Sequence, residues 1–259
     1  MRRSLAISAV MLALVLAAGS AQAITFGTVD ENNRFDNVGA LVGDFPGVGR
    51  RVICSGTLIS EDVFLTATHC VVALEANGST QTYVSFAPQF SPTDSAAHLP
   101  GTAFGHPDYN HDMADLHDIG VVVLDEAVEG IEPAELADAG YLQARKSTLK
   151  SQRFTTVGYG QVRDTKTGGP NSLFPGGGIR RFTTQGFLSL QKSWLTLSMN
   201  PSTGSGGTCF GDSGGPHFHR GILVSITITG DSVCRATDTT YRVDTASARA
   251  FLDDFVALP

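Results

Sequence analysis

Short runs of β-branched and aromatic residues, separated by Gly, Pro, Asn and Asp, recur from Val52 almost to the C-terminus of this chain. Half-buried runs punctuated by turn residues predict a β-sandwich or barrel rather than a helical protein. The runs are Ser55–Ile59, Val63–Ala67, Tyr83–Phe86, Ile119–Leu124, Phe154–Tyr159, Arg180–Phe187, Trp194–Leu197 and Ile222–Thr229. Helical periodicity is scarce. Its clearest instance is 246–256, where Phe251, Leu252 and Phe255 share one face at three-and-four spacing. The Gly/Pro-rich stretch Thr165 to Gly178 lacks the alternation of a strand and predicts a long surface loop. No internal repeat is visible, and the two halves have similar strand density, which places a boundary near Ala144: one unit over 24–143 and a second over 144–259.

The first 23 residues read as a segment removed from the folded product. Arg2 and Arg3 precede an apolar run from Leu5 to Ala18 that ends in the small-residue site Ala21-Gln22-Ala23. This is the pattern of a signal peptide, and the run is too short for a membrane anchor. Cleavage after Ala23 takes 23 of the 259 residues, leaves 236, and moves the formal charge from −7 to −9 through the loss of two arginines. An acidic chain without clustered Lys and Arg is not built chiefly for nucleic acid or anionic lipid. No phosphate-cradling or dinucleotide fingerprint occurs either.

Export predicts an oxidising compartment, extracellular or periplasmic, in which Cys54, Cys70, Cys209 and Cys234 form disulfides rather than a thiolate metal site. Four cysteines permit three pairings. Local spacing favours Cys54 with Cys70 and Cys209 with Cys234, each closing a loop typically worth about 3 kcal/mol. No C-x-x-C spacing supports zinc.

The strongest chemical signal is Gly211-Asp212-Ser213-Gly214-Gly215-Pro216. A serine flanked by residues with little or no side chain exposes both its hydroxyl and the neighbouring backbone N–H groups, which is what an acyl-transfer nucleophile needs. Alone, the hexapeptide is also compatible with an ordinary glycine-rich turn. Thr66-Ala67-Thr68-His69-Cys70 places a general-base candidate at the end of a predicted strand, and Asp118 opens the apolar strand at Ile119, where a carboxylate can orient an imidazole through Nδ1–H. The Gly-x-Ser-x-Gly pattern also fits the α/β-hydrolase elbow, but that fold needs its acid and histidine after the serine. Only His217 and His219 follow Ser213, too near to fold back as a base. His106, His111 and His117 with Asp108, Asp112 and Asp115 read as a solvated loop, with loose cation binding as the lesser alternative. His98, His217 and His219 belong to no constellation and are expected at the surface.

Together these residues resemble the chymotrypsin-like (trypsin family) serine proteases over nearly the whole chain after residue 23. Ser55-Gly56-Thr57-Leu58-Ile59 followed by Thr66-Ala67-Thr68-His69-Cys70, with Cys54 sixteen residues before Cys70, is similar to the family's histidine motif. His106-Pro107-Asp108-Tyr109-Asn110 leading to Asp118-Ile119 resembles the approach to its aspartate, and Gly158-Tyr159-Gly160 its Gly-Trp-Gly turn. The serine motif is unchanged. The chain departs from the pattern in lacking the extra disulfide before the serine, in Tyr159 for Trp, and in Ile226 where the substrate-binding strand carries Trp.

The resemblance implies an all-β fold of two packed six-stranded antiparallel β-barrels with a C-terminal α-helix, the cleft between them holding His69, Asp118 and Ser213. It implies a secreted, monomeric serine endopeptidase acting on proteins or peptides without metal or organic cofactor, with the N–H groups of Gly211 and Ser213 as oxyanion donors. A catalytically silent binding module is the alternative, and retention of all three triad residues speaks against it. By the same likeness Ile24, freed by signal cleavage, pairs its α-amino group with Asp212. The primary pocket takes Gly207 as its base and Thr208, Ser225, Ile226, Thr227 and Thr239 as walls. Without an aspartate at Gly207 the expected preference is for small to medium uncharged side chains, unless Asp238, one residue from the aligned wall, reaches the pocket and restores a basic preference.

Overall fold

The computed structural model describes residues 24–112, 114–162 and 177–259. The predicted signal segment and residues 165–176 of the predicted surface loop lie outside the described residues. Two closed, six-stranded antiparallel barrels account for the strands. The first runs β2 (Val38–Phe45), β3 (Gly49–Leu58), β4 (Val63–Thr66), β7 (Gly120–Leu124), β6 (Leu99–Gly105) and β5 (Gln81–Ser85), closing as β5 pairs with β2. The second runs β8 (Arg153–Gly158), β9 (Arg181–Leu190), β10 (Trp194–Ser198), β13 (Thr237–Arg242), β12 (Ile222–Gly230) and β11 (Pro216–His219), closing as β11 pairs with β8. A two-residue strand β1 (Thr28–Val29) adds to the edge of β9.

Closure removes sheet edges and explains the strands that escaped sequence reading. β2 reads Val-Gly-Ala-Leu-Val-Gly-Asp-Phe and is buried at all but one position, so it shows no polar alternation. β6 carries Pro100 and Gly101, β11 starts on Pro216, and β13 is mostly polar, Thr-Asp-Thr-Thr-Tyr-Arg. Each hides its strand character from a pattern that looks for apolar alternation.

One core spans the first barrel and the contact between barrels, from Leu41, Phe64, Leu65 and Val84 to Tyr159, Phe218, Ile226 and Tyr241. A second fills the far side of the second barrel with Leu142, Leu149, Phe154, Leu195, Leu197 and Val224. Arg180, wholly buried, ties the two barrels and the N-terminal segment together. Its Nε donates to Asp30 Oδ2 at 3.0 Å, while Nη1 donates to the carbonyls of Val38 and Phe86 and to the Tyr159 hydroxyl. Tyr159 in turn donates to the Ala87 carbonyl at 2.9 Å. Tyrosine in the Gly-x-Gly turn therefore supplies a polar handle that an indole would not place there. Arg180→Ala strands the buried Asp30 carboxylate and is expected to cost about 3–5 kcal/mol in denaturant unfolding, with Asp30→Asn in the same chain recovering part of the loss.

The C-terminal helix α3 (Ala246–Leu252) is capped by the Thr245 side chain, which accepts from Ala248 N–H at 3.2 Å. It stops short of the predicted 256 because Asp253 and Asp254 put two carboxylates at the negative end of the helix dipole. Phe251 and Phe255 carry it onto the first barrel, against His106 at 5.1 Å and Phe104 at 5.5 Å between ring centroids. Two other helices, α1 (Thr68–Ala76) and the single turn α2 (Tyr141–Ala144), precede it. No helix among the described residues is long and apolar enough to cross a membrane.

Candidate active site

His69 lies in the first turn of α1, which enters directly from β4. The helix has no side-chain cap of its own at Ala67; Asp118 serves instead. Oδ1 of Asp118 accepts the His69 backbone N–H at 2.9 Å, and Oδ2 accepts Nδ1–H of the same residue at 2.8 Å. The carboxylate thus sits at the positive end of the helix and fixes both the backbone and the ring of one histidine. Thr68 holds the two elements together, donating from Oγ1 to the Ile119 carbonyl at 2.6 Å and accepting His106 N–H at 2.9 Å. Asp118 is buried and His69 partly exposed. The Cys54–Cys70 bond anchors the start of α1, and His69 Nε2 lies 3.6 Å from Cys70 Sγ.

The serine loop is pinned from the other barrel by Ser55, whose role sequence reading did not single out. Ser55 N–H donates to the Ser213 carbonyl and its Oγ to the Gly211 carbonyl, both at 2.9 Å, while the same Oγ accepts Tyr159 N–H. Gly211 takes φ 94° and Gly214 φ 76°, values open to glycine, and a Cβ on Gly214 would collide with Thr66 Oγ1 and the Ser55 carbonyl. Asp212 N–H, Gly214 N–H and Gly215 N–H all find backbone acceptors. The N–H groups of Gly211 and Ser213 find none among the described residues. In a loop where every neighbour is satisfied, two free donors flanking a serine form a ready receptor for an anionic oxygen.

Ser213 and His69 line one cleft of about 300 Å³ together with Thr208, Phe210, Thr227 and Thr229. No hydrogen bond joins Ser213 Oγ to His69 Nε2. The Cys209–Cys234 bond holds the far wall. Asp231, also at the cleft, organises that wall: its carboxylate accepts the N–H groups of Arg235, Ala236 and Thr237. Burial pushes its pKa up, but these bonds outweigh burial and hold it below the usual range.

Of the predicted pocket residues, Thr208 and Thr227 line the cleft, whereas Gly207, Ser225, Ile226 and Thr239 do not. The lining follows from the strand register. Gly214 N–H donates to the Thr227 carbonyl and Thr227 N–H to the Gly215 carbonyl, so Thr227 is the residue opposite the serine loop, and the wall continues through Ile228, Thr229 and Gly230. Register irregularities between His217 and Phe218 and between Thr227 and Thr229 shift the strand against its apparent alignment. Asp238 stands directly opposite Gly230 and is wholly buried.

The histidines expected at the surface are also buried. His98 accepts from Arg50 at 2.8 Å and stacks on Phe90; His217 donates to Asp238; His219 sits between Tyr141 and Phe154. In the 106–118 stretch, the rings of His106 and His117 meet tilted at 4.5 Å between centroids, and Asp115 accepts from the Tyr241 hydroxyl at 2.6 Å. His111 is exposed, 4.0 Å from Asp108. Among the described residues the one group with metal-ligand spacing is Cys54, Cys70 and His69, whose sulfurs are spent in the disulfide.

Asp212 is wholly buried beside the nucleophile. Burial pushes its pKa up to about 7, against the backbone N–H groups of Cys209 and Gly160 that favour its ionised form, and the charge of Asp238 raises it further. Ile24 is buried too, and its neighbour Thr25 pairs with Gly207 in the second barrel. In the intact chain its nitrogen is an amide, so Asp212 has no cationic partner from that source.

The chain and its fold have clear counterparts. An alkaline trypsin of Manduca sexta, "Trypsin, alkaline C", is 26% identical over 258 residues, covering 91% of this chain and 92% of that protein. Kallikrein 1-related peptidase b24 of Mus musculus is 31% identical, with 71% and 72% covered, and human kallikrein-8 is 28% identical, with 73% and 71% covered. A solved HL collagenase superposes with a TM-score of 0.66 at 18% identity, over 89% of this chain and 98% of that one, a likeness of fold. The trypsin family model matches residues 42–252, which include His69, Asp118 and Ser213, and on that match the chain belongs to the trypsin family.

Proposed function

We propose that this chain is a secreted serine endopeptidase that cleaves peptide bonds through an acyl-enzyme on Ser213. The observation that carries this is the convergence on one cleft of a carboxylate-oriented imidazole, a serine hydroxyl and two unpaired backbone N–H groups. Ser213 Oγ attacks the substrate carbonyl as its proton passes to His69 Nε2. Asp118 holds the tautomer with Nδ1–H and stabilises the imidazolium, and the N–H groups of Gly211 and Ser213 hold the oxyanion. Collapse expels the amine, which takes the proton from His69. Water then enters by the same base, and the acyl group leaves as a carboxylic acid. The test is labelling of the secreted protein with a fluorophosphonate, located by mass spectrometry. An adduct on Ser213 that vanishes in His69→Ala supports the enzyme, and no adduct on folded protein returns the reading to a silent module.

On the acyl side we propose a preference for small to medium uncharged residues. Supporting it, the one carboxylate lining the cleft among the described residues, that of Asp231, is already occupied by backbone donors. A substrate guanidinium would there be desolvated unpaired. In a peptide anilide series differing only in Ala, Val, Leu, Phe or Arg, Ala to Leu should show the highest kcat/KM. An Arg preference of roughly tenfold, about 1.4 kcal/mol, overturns the reading.

A further inference from the structure

Met199 follows β10 and is buried. Its side chain lies against Gly207 and against two residues that line the cleft, Thr208 and Gly230. A Cβ on Gly207 would fall on its Sδ and come within 2.6 Å of its Cβ and Cγ. Thr208 Oγ1 lies 3.8 Å from the same sulfur, and a Cβ on Gly230 would lie 3.7 Å from Cε. Thr208 and Gly230 line the cleft, whereas Gly207 does not. The depth made available by glycine at 207 is therefore filled by a thioether.

A buried carboxylate lies on the adjoining strand. Asp238 is directly opposite both Gly230 on β12 and Leu197 on β10. Directly paired residues of antiparallel strands project from the same face, and Leu197 and Met199, two positions apart, share it as well. Asp238 Oδ2 accepts from Gln185 Nε2 at 2.9 Å and from His217 Nε2 at 3.0 Å. Its Oδ1, wholly buried, has no hydrogen-bond partner among the described residues. A buried carboxylate oxygen left without a donor is an unmet demand for a cation or an N–H group.

We propose that Met199 is a specificity-determining residue: its thioether forms the floor of the primary pocket, limits the acyl-side residue to small and medium side chains, and screens the Asp238 carboxylate from substrate. This rests on the endopeptidase reading. The sequence hid the residue because no feature of Ser-Met-Asn marks it, while the contact with Gly207 arises from strands that meet only in the closed barrel. Two changes follow from shortening it. The pocket deepens for any longer side chain, and an arginine or lysine entering it gains a charge-assisted partner that a neutral side chain does not. The second effect separates the proposal from a simple gain of room.

The test measures kcat/KM on peptide anilides with Ala, Leu, Arg or Lys at the cleaved residue, for the native protein, Met199→Ala, Met199→Val and Met199→Ala with Asp238→Asn. Shortening is expected to raise the Arg-to-Ala and Lys-to-Ala ratios by roughly tenfold or more in the alanine variant, and by less in the same direction for valine. Adding Asp238→Asn should abolish the gain for Arg and Lys while the gain for Leu remains. Met199→Val retains a buried apolar side chain and carries the test where the alanine variant fails to fold. Unchanged ratios in a variant that still takes the fluorophosphonate on Ser213 overturn the proposal, as does an Arg gain that survives Asp238→Asn. A native protein that hydrolyses all four poorly and takes no probe overturns the endopeptidase reading itself and this proposal with it.

Discussion

Ser213→Ala or His69→Ala is expected to lower turnover of a good peptide substrate by about 10⁶-fold, and Asp118→Asn by about 10⁴-fold, with the fold retained. These sizes belong to Ser-His-Asp triads in general. The structure adds a distinction between two replacements at Asp118. Its carboxylate accepts both the ring Nδ1–H and the backbone N–H of His69 at the start of α1. Asparagine keeps an acceptor for the helix end while disturbing the imidazole tautomer; alanine loses both and should also cost about 1 kcal/mol of stability, the usual size for a lost helix cap. Steady-state kinetics with thermal unfolding on the same samples separate the two effects. A Ser213→Ala protein retaining more than roughly a tenth of the native activity, when a loss near 10⁶ is expected, would sink the mechanism.

A chain that begins at Ile24 should be more stable near neutral pH than one that retains the residues before it. In the intact chain Asp212 is buried with its pKa pushed up to about 7, from an ordinary value of 3.8. A carboxyl whose folded pKa is raised binds its proton more tightly in the folded state. Its contribution to stability is therefore fully present below about pH 3.8 and is lost as pH rises through about 7. The loss is on the order of 4 kcal/mol when complete. An ammonium at Ile24 supplies the missing countercharge and removes that slope. Paired in this way, the α-amino group would itself titrate above its free value of about 7.7–8.0, so the pairing holds below that value and fades as pH climbs through the raised one. Unfolding of the two chains from pH 4 to 9 should give curves that diverge between pH 4 and 7, and Asp212→Asn should bring them together. Parallel curves, or an active protein whose N-terminal residue is not Ile24, would refute the role assigned to Ile24.

The residues that gather at the cleft were legible in the sequence because nucleophilic chemistry constrains contiguous residues. A serine that must expose its hydroxyl and neighbouring N–H groups needs glycines close by, and Gly211, Gly214 and Gly215 stand in one hexapeptide with it. The base sits beside a cysteine whose partner lies sixteen residues away, and the orienting acid opens a strand apolar enough to be seen alone. Barrel class was legible for the same reason: the period of short apolar runs is a local property.

Of the cleft's lining, Thr208 and Thr227 were legible and the rest was not, because its other determinants are not local. Which residue of β12 faces the serine is set by bulges in its pairing with β11 and β13, and a shift of a few residues exchanges buried for lining positions. Ser55 matters because its hydroxyl reaches across from the first barrel to the Gly211 carbonyl of the second, and Arg180 because it joins carbonyls of the first barrel to the Tyr159 hydroxyl. His217 passed for a surface residue until Asp238 and Gln185 came round the closed barrel to meet it. The sequence by itself determined the fold class and the candidate reactive groups, each needing only its neighbours in the chain. The tertiary structure decided how deep the cleft is and what charge lies behind it, because burial and strand register belong to residues brought together only when both barrels close.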